Sequence, residues 1–155
     1  MKEASTIFLL AENRLLRESL SRLLRKKSDI SVAGECGQTA GAIHQISESG
    51  CEILLLDEAT NSRTNPNLVS QSLDAVPGLK IILIGMDNDE ESFLQAVRSG
   101  AVGILVREAS AMDVLAAVRA VARVEAVCPT QSKGKRCGSL EFITNVRSLD
   151  PSRLC

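Results

Sequence analysis

The sequence predicts an α/β fold, a parallel β-sheet with helices packed on both faces. Short apolar runs alternate five times with longer segments in which apolar residues recur every three or four positions. The first pattern is typical of buried strands and the second of amphipathic helices. The strand-like runs are apolar on both faces, as parallel strands between helices are. Right-handed crossovers then give a flavodoxin-like (βα)5 doubly wound sheet with strand order 2-1-3-4-5.

The first two units are marked by apolar runs and by helix-end residues. Their predicted strands and helices are Thr6–Leu10, Arg14–Lys26, Ser31–Gly34 and Gln38–Ser49. The inner stripe of the first helix consists of leucines, at positions Leu16, Leu20, Leu23 and Leu24. Thr39 is expected to cap the second helix, and Gly50 is expected to end it.

The last three units follow the same pattern. Their predicted strands are Ile53–Leu56, Lys80–Ile84 and Gly103–Val106. The helix after the third strand is expected to begin near Pro66 and to end before Pro77. Asp87–Glu91 gives the fourth helix an acidic first turn, which the helix dipole favours. Ser110 and Asp113 resemble a capping box at the start of the last helix.

Residues 129–155 interrupt this pattern. The polar and basic stretch PTQSKGKRCGS is followed by EFITNVRSLDPSRLC, which has at most one short strand-like run. The first 128 residues carry 13 basic against 17 acidic side chains, and the remainder carries 5 against 2. We therefore expect one domain over residues 5–128 and a basic, mostly disordered tail over 129–155, without a DNA-binding domain.

Composition excludes several classes of protein. There is no Trp or Tyr and there are only three Phe, so no aromatic platform for stacking bases is expected. A formal net charge of −1 also argues against direct nucleic-acid binding. No signal peptide or membrane span is recognisable, which favours a cytoplasmic protein. The five cysteines lack C-x-x-C spacing, which favours reduced thiols over a zinc site.

Asp57 is the residue best placed to carry chemistry. It directly follows the third predicted strand. In a doubly wound sheet, functional residues gather at the carboxyl ends of the strands. An Asp after a strand is, taken alone, more often a loop cap, so the surrounding order of elements decides its interpretation.

Five fragments in order resemble the receiver domains of two-component response regulators, especially receivers that precede a LuxR-type DNA-binding domain. The fragments are LLAENRLLRESLSRLL, ISVAGECGQTAGAI, CEILLLDEAT, LKIILIG and AVRSGAVGILVREASAMDVLAAVRAV. The resemblance covers about Thr6–Cys128. It implies that a histidine kinase phosphorylates Asp57 and that the chain is not an enzyme.

The resemblance also implies a metal site, which this sequence alters. An acidic pair after the first strand holds Mg²⁺ in the family, and the pair reads Ala11-Glu12 here. Mg²⁺ requires oxygen ligands in near-octahedral geometry. With Glu12 and Asp57 alone, Mg²⁺ is expected to bind weakly.

Three further positions depart from the family pattern. A Thr or Ser that binds the phosphoryl group is replaced by Gly85, which has no hydroxyl. A Lys is replaced by Arg107, which keeps the charge but is bulkier and planar. The aromatic that reports the switch is replaced by Ile104. The sequence therefore predicts weak phosphorylation or none.

Three functions follow as hypotheses. The leading one is an atypical receiver that acts through protein contacts, as a homodimer or with a partner, across Ser92–Arg123. The second is a working phospho-acceptor that regulates transcription through a LuxR-type domain missing from this chain. The third, a flavodoxin-like ligand binder or enzyme, lacks a phosphate-cradling loop and aromatic contacts near Asp57. His44 is expected to be an ordinary helical surface residue, and residues 133–136 (KGKR) a solvated linker.

Overall fold

The computed structural model describes residues 4–38, 40–60, 67–127 and 143–144, and its sheet has the predicted parallel order. From one edge the order is β2-β1-β3-β4-β5-β6, and every pairing is parallel. The strands are β1 (Ser5–Leu10), β2 (Ile30–Cys36), β3 (Ile53–Asp57), β4 (Lys80–Met86), β5 (Gly103–Val106) and β6 (Ile143–Thr144). The (βα)5 prediction is thus confirmed for the first five strands.

Helices connect the strands. They are α1 (Arg14–Arg25), α2 (Ala42–Ser49), α3 (Leu68–Ala75), α4 (Glu90–Ser99) and α5 (Ala111–Val127). Asp89 caps α4, since its Oδ1 accepts the Ser92 amide at 2.8 Å. At α5, Ser110 and Asp113 exchange backbone-to-side-chain hydrogen bonds of 2.9 and 3.2 Å, so the predicted capping box forms with Asp in place of Glu or Gln.

Several element boundaries differ from the prediction; β4, for example, ends at Met86 instead of Ile84, so that Gly85 lies within it. β2 is longer than Ser31–Gly34, because the chain stays paired with β1 as far as Cys36. α2 begins at Ala42 instead of Gln38, after Gly41 at φ +76°. Gly50 ends α2 in the left-handed conformation, as predicted. Thr39 and Pro66, the predicted start residues of α2 and α3, lie outside the described residues.

Each face of the sheet has its own aliphatic core. On one face, α2, α3 and α4 bury residues such as Ile46, Leu68 and Phe93 against the sheet. On the other face, α1 and α5 bury Leu20, Leu24 and Val118 among others. Burying such side chains contributes roughly 1.5–3 kcal/mol each. These two cores fix the strand ends that carry the site.

The sixth strand lies in EFITNVRSLDPSRLC, for which the sequence analysis allowed at most one short strand-like run. Ile143 and Thr144 pair with Gly103 and Ile104 of β5, in the segment expected to be a tail. The rest of 129–155 lies outside the described residues. Within the described part of the chain, no helix is both long and apolar enough to cross a membrane.

Candidate functional site

Asp57 lies at the carboxyl end of β3, where the sequence analysis placed it. All five residues of β3 are buried, and Asp57 is 7% exposed. It lies in register with Ile84 of β4. A carboxylate is therefore held at the crevice formed by the ends of the central strands, which is where open α/β sheets bind ligands.

Gly85 forms a bulge directly beside Asp57. Leu83 and Met86 of β4 pair with Ile104 and Val106 of β5, so β4 contains one residue more than β5 over this interval. Gly85 has φ +75°, and a Cβ added there would lie 3.0 Å from Asp57 Oδ1. The position predicted to lack a hydroxyl is thus also held in a conformation that side chains rarely adopt.

Arg107 is paired with Asp87. Its Nη2 lies 2.9 Å from Asp87 Oδ1, and the two side chains are 65% and 62% exposed. The Arg107 amide donates to the Met86 carbonyl at 3.0 Å, which joins the ends of β4 and β5. Arg107, which stands at the family's Lys position, thus forms an exposed ion pair. Such pairs generally stabilise a protein by about 0–1 kcal/mol.

Glu12 is joined to the Asp57 segment through its backbone. Its amide donates to Thr60 Oγ1 at 2.8 Å, and Thr60 is fully buried in the helical turn 58–60. Ala11, which replaces the first acid, is also fully buried. This hydrogen bond positions the loop after β1 against the segment that follows Asp57.

The predicted magnesium ligands are two carboxylates, those of Glu12 and Asp57. Across the described residues, there is no cluster of three or more His, Cys, Asp or Glu side chains that could hold a metal ion. Mg²⁺ is usually held by one or two carboxylates with water and phosphate oxygens. A weak magnesium site at Glu12 and Asp57 stays a prediction, with water expected to supply most of the other ligands.

Arg17 is a site neighbour that the sequence analysis missed. Its Nη1 donates to the Ala11 carbonyl at 2.7 Å, and its Nε lies 3.8 Å from Glu35 Oε1. The side chain is only 18% exposed, and a Cβ at Gly37 would collide with its guanidinium. Arg17 thereby fixes the loop that carries Glu12. No sequence motif indicates that Arg17 holds this loop. The only signal in the sequence is Gly37, which has no side chain and so leaves room for the Arg17 guanidinium.

Ile104 is a core residue here. It is fully buried in the cluster under α2, α3 and α4. The Ile104 side chain has no polar group or aromatic ring, so it lacks the features by which the family's aromatic residue responds to a change at the site. Ile104 thus lies in the core, on the strand next to the one that carries Gly85.

A cavity of about 390 Å³ opens beside these residues. Its walls come from α1, from the start of α5 and from the ends of β3, β4 and β5. Asp57, Gly85 and Arg107 line it together with Asn13, which also caps α1. The structure therefore brings three of the five predicted site residues to one cavity, which we call the α1–α5 cavity.

Sequence comparison finds similarity to a transcriptional regulatory protein and to a response regulator. No protein-family model matches the chain. It is 25% identical over 134 residues to the uncharacterized transcriptional regulatory protein YxjL of Bacillus subtilis, covering 86% of this chain and 62% of that protein. It is 25% identical over 155 residues to the nitrate/nitrite response regulator NarL of Escherichia coli, covering 97% and 72%.

Solved structures show the fold. The isolated receiver domain of RcsB from Salmonella enterica, in the presence of phosphomimetic BeF₃⁻, superposes with TM-score 0.71 at 17% identity, covering 98% of this chain and 99% of that chain. The non-phosphorylated RcsB receiver of Escherichia coli gives TM-score 0.71 at 15% identity, covering 79% and 95%. The chain therefore has the fold of these receiver domains and is similar in sequence to response regulators. It spans 62% of YxjL and 53% of the activator DevR/DosR of Mycobacterium tuberculosis, another relative at 25% identity.

Other polar groups of the domain have structural roles. His44 is exposed and lies 3.3 Å from Glu48 on α2, in agreement with the surface interpretation. Of the described cysteines, Cys36 and Cys51 are free, and burial raises the pKa of the Cys51 thiol. Asp87 was taken as part of an acidic first turn, but it pairs with Arg107. Their positions after adjacent parallel strands could have indicated that contact.

Proposed function

We propose that this receiver domain is atypical: Asp57 is phosphorylated weakly or not at all, and the domain acts through protein contacts. The observation that carries the proposal is the bulge at Gly85. The family's hydroxyl-bearing position has φ +75° here, and a Cβ added there would lie 3.0 Å from Asp57 Oδ1, which is tighter than an ordinary van der Waals contact. A phosphoryl group on Asp57 would find backbone at this side and no hydroxyl to bind it.

The remaining departures weaken phosphoryl transfer further. Phosphoryl transfer depends on positioning and on charge stabilisation. Losing one preorganised donor costs roughly 10²–10³ in rate. This site lacks the hydroxyl at Gly85 and the carboxylate at Ala11, and its Arg107 is paired with Asp87. Together these changes deprive Asp57 of the hydroxyl and of the second acidic side chain that support its phosphorylation in the family. They also leave Glu12 and Asp57 as the protein carboxylates for Mg²⁺.

Without a working switch, the domain would hold one conformation, since a switch requires a ligand with different affinity for two states. We propose that Ser92–Arg123, which includes β5, contacts a second copy or another protein. A histidine kinase remains a possible partner of Asp57. We place the protein in the cytoplasm, and we expect no direct nucleic-acid or membrane binding by this chain.

A second function has specific support. Asp57 itself is retained, and the chain matches only 62% and 53% of relatives that are named as transcriptional regulators. A working phospho-acceptor that controls a LuxR-type DNA-binding domain would fit these two facts. It would have to operate with Glu12, Asp57 and Arg107 alone.

Phosphorylation by acetyl phosphate separates the two proposals. We would incubate the protein with acetyl phosphate and Mg²⁺ and follow its intact mass, using Asp57→Asn as the control. The atypical receiver should gain little or no phosphoryl group over the control. A stoichiometric gain that Asp57→Asn abolishes would support the second function and overturn the first.

A further inference from the structure

The outer sides of α1 and α5 carry the same succession of side-chain types. On each helix an apolar residue is followed by a small residue and then by two basic residues, and residues three and four apart lie on one side of a helix. On α1 and its C-cap these residues are Leu15, Ser19, Arg22 and Lys26. On α5 they are Met112, Ala116, Arg119 and Arg123. Each set therefore forms a stripe along its helix.

The two stripes lie side by side, because one member of each faces the other helix. Ser19 lines the α1–α5 cavity together with Ala111 at the start of α5. Farther along, Arg119 donates two hydrogen bonds, of 2.9 and 3.1 Å, to the carboxylate of Asp29, which follows α1. Both helices begin at the cavity, so their apolar ends are neighbours and their basic ends are neighbours. We call the eight residues of the two stripes the α1–α5 face.

One end of the α1–α5 face is apolar and open to solvent. Leu15 is 76% exposed and Met112 is 60% exposed, and no other large hydrophobic side chain among the described residues is exposed. Both lie in the first turn of a helix that borders the cavity. Single exposed apolar residues scattered over a surface are ordinary, whereas apolar residues grouped at one place indicate a contact site.

The other end of the face is basic. Arg22, Lys26 and Arg123 are exposed and form no ion pair with another side chain in the described part of the chain. Arg119 is paired with Asp29 at 2.9 Å. The four basic side chains and this one carboxylate leave an excess of positive charge. Complementary charge across an interface selects the partner and its orientation, so this end favours an acidic partner.

We propose that the α1–α5 face binds an amphipathic helix of a protein partner, apolar against Leu15 and Met112 and acidic against the basic end. Acidic residues stabilise a helix at its N-terminus, so the partner helix begins at the basic end and runs antiparallel to α1 and α5. Two copies of this chain that met through the face would offer the basic end no acidic side chain of the face. The inference rests on the proposed function, because it names the class of partner for a domain that acts through protein contacts.

A matched pair of helical peptides tests the proposal. The acidic probe is an alanine-based helix of about 15 residues, cross-linked because isolated helices of that length are marginal in water. It carries glutamates in its first two turns and leucines in its last two, and the control probe has lysines in place of the glutamates. In amide NMR titrations of the full chain, the acidic probe should shift Leu15, Ser19 and Ala116 saturably and bind at least about tenfold more tightly than the control. Equal binding of the two probes, or no saturable shift with either, would overturn the proposal.

Charge reversal locates the basic end. Arg22→Glu combined with Arg123→Glu should weaken the acidic probe at least about tenfold and make the lysine probe the tighter ligand. The matched control is Arg98→Glu, at an exposed basic residue in the last turn of α4, which packs on the opposite face of the sheet. It should leave both titrations unchanged. An unaltered preference for the acidic probe in the double variant would contradict the basic end as its binding site.

Removing the two exposed apolar side chains tests the other end. Leu15→Ala combined with Met112→Ala should weaken the acidic probe at least about tenfold. Because both side chains are exposed, the unfolding free energy should change little. Self-association of the chain that these substitutions abolish, without binding of the acidic probe, would assign the face to a second copy and overturn the proposal.

Failure of this proposal is distinguishable from failure of the proposed function. Stoichiometric phosphorylation of Asp57 would overturn the atypical receiver without changing the peptide titrations. Absence of acidic-probe binding in a protein that also resists phosphorylation would overturn only the assignment of the α1–α5 face.

Discussion

At the scale of single residues, the chemistry of the site depends on backbone conformation as much as on side-chain identity. The sequence shows that Gly85 lacks a hydroxyl. The sequence does not show that the chain bulges there, because the bulge arises when β4 pairs with β5. The paired residues Met86 and Val106 are 20 positions apart in the sequence. The same holds for Arg107, whose charge is visible in the sequence but whose partner Asp87 is not.

Substituting alanine at Gly85 tests whether the bulge conformation is fixed. A non-glycine residue in the left-handed region costs about 1–2 kcal/mol. Gly41 has φ +76° with nothing within 4 Å of its added Cβ, so Gly41→Ala should lose only that amount of unfolding free energy. Gly85→Ala should lose about 1 kcal/mol more, because its Cβ contacts Asp57 Oδ1.

Chemical denaturation of both variants measures the difference. In an Asp57→Ala background the extra loss at Gly85 should disappear, since the contact is gone. Equal losses for Gly41→Ala and Gly85→Ala in the presence of Asp57 would show that the chain relaxes at β4 and that a side chain at position 85 is tolerated.

Thr60 should control the loop that carries Glu12. Thr60→Val keeps the volume but removes the acceptor of the Glu12 amide, a loss of about 1–2 kcal/mol. Hydrogen exchange at the Glu12 amide should accelerate in Thr60→Val and stay close to the wild-type rate in Thr60→Ser. Unchanged exchange in Thr60→Val would mean that this hydrogen bond does not hold the loop.

At the scale of elements, the strands were predictable because each is a short apolar run between polar segments. The helix ends were predictable where a side chain caps them, as Asp89 does for α4. The start of α2 was predicted four residues early, because Gly41 in a left-handed conformation delays the first turn to Ala42. Propensity alone does not reveal such a turn.

Two buried serines on α1 and α3 should respond oppositely to alanine. The Ser72 hydroxyl on α3 is fully buried without a hydrogen-bond partner within the described part of the chain. An unsatisfied hydroxyl costs about 1–3 kcal/mol, so Ser72→Ala should raise the unfolding free energy by about 1 kcal/mol. Denaturant titration measures it.

Ser21 on α1 provides the matched control. It is 4% exposed, and its Oγ donates to Glu35 at 3.2 Å and accepts from Arg25 at 2.9 Å. Ser21→Ala should therefore destabilise the protein by about 1 kcal/mol. A loss of stability in Ser72→Ala as large as that in Ser21→Ala would indicate that the Ser72 hydroxyl is satisfied in solution.

At the scale of the whole molecule, β6 pairs with two of the four residues of β5 and so covers part of the outer side of that strand. An open edge exposes unpaired backbone groups that other chains can bind. The pairing involves only Ile143 and Thr144, so proline at both positions should remove it. The Val102 amide donates to Ile81 of β4, so the next amide, that of Gly103, points toward β6 and its exchange should then accelerate.

The control for that change is proline at Gln131 and Ser132, in the same segment of sequence but away from β6. It should leave exchange in β5 unchanged. Equal exchange of the Gly103 amide in both double-proline variants and in the wild type would show that β6 does not protect β5.

The overall topology follows from the sequence pattern, whereas the state of the switch does not. Alternating strands and helices leave few arrangements, and the parallel order 2-1-3-4-5 is one of them. Whether Asp57 still responds to phosphorylation depends on how the chain is arranged around Gly85 and Arg107. That arrangement arises from packing across the whole sheet.

Beryllofluoride, an acyl-phosphate mimic, tests the central claim most directly. We would record amide chemical shifts of the full chain with beryllofluoride and Mg²⁺, with Asp57→Asn as the control and a responsive receiver domain alongside. The account predicts no saturable response, with Ile104 and α5 unchanged. Saturable shifts that spread from Asp57 to Ile104, and that Asp57→Asn abolishes, would contradict it.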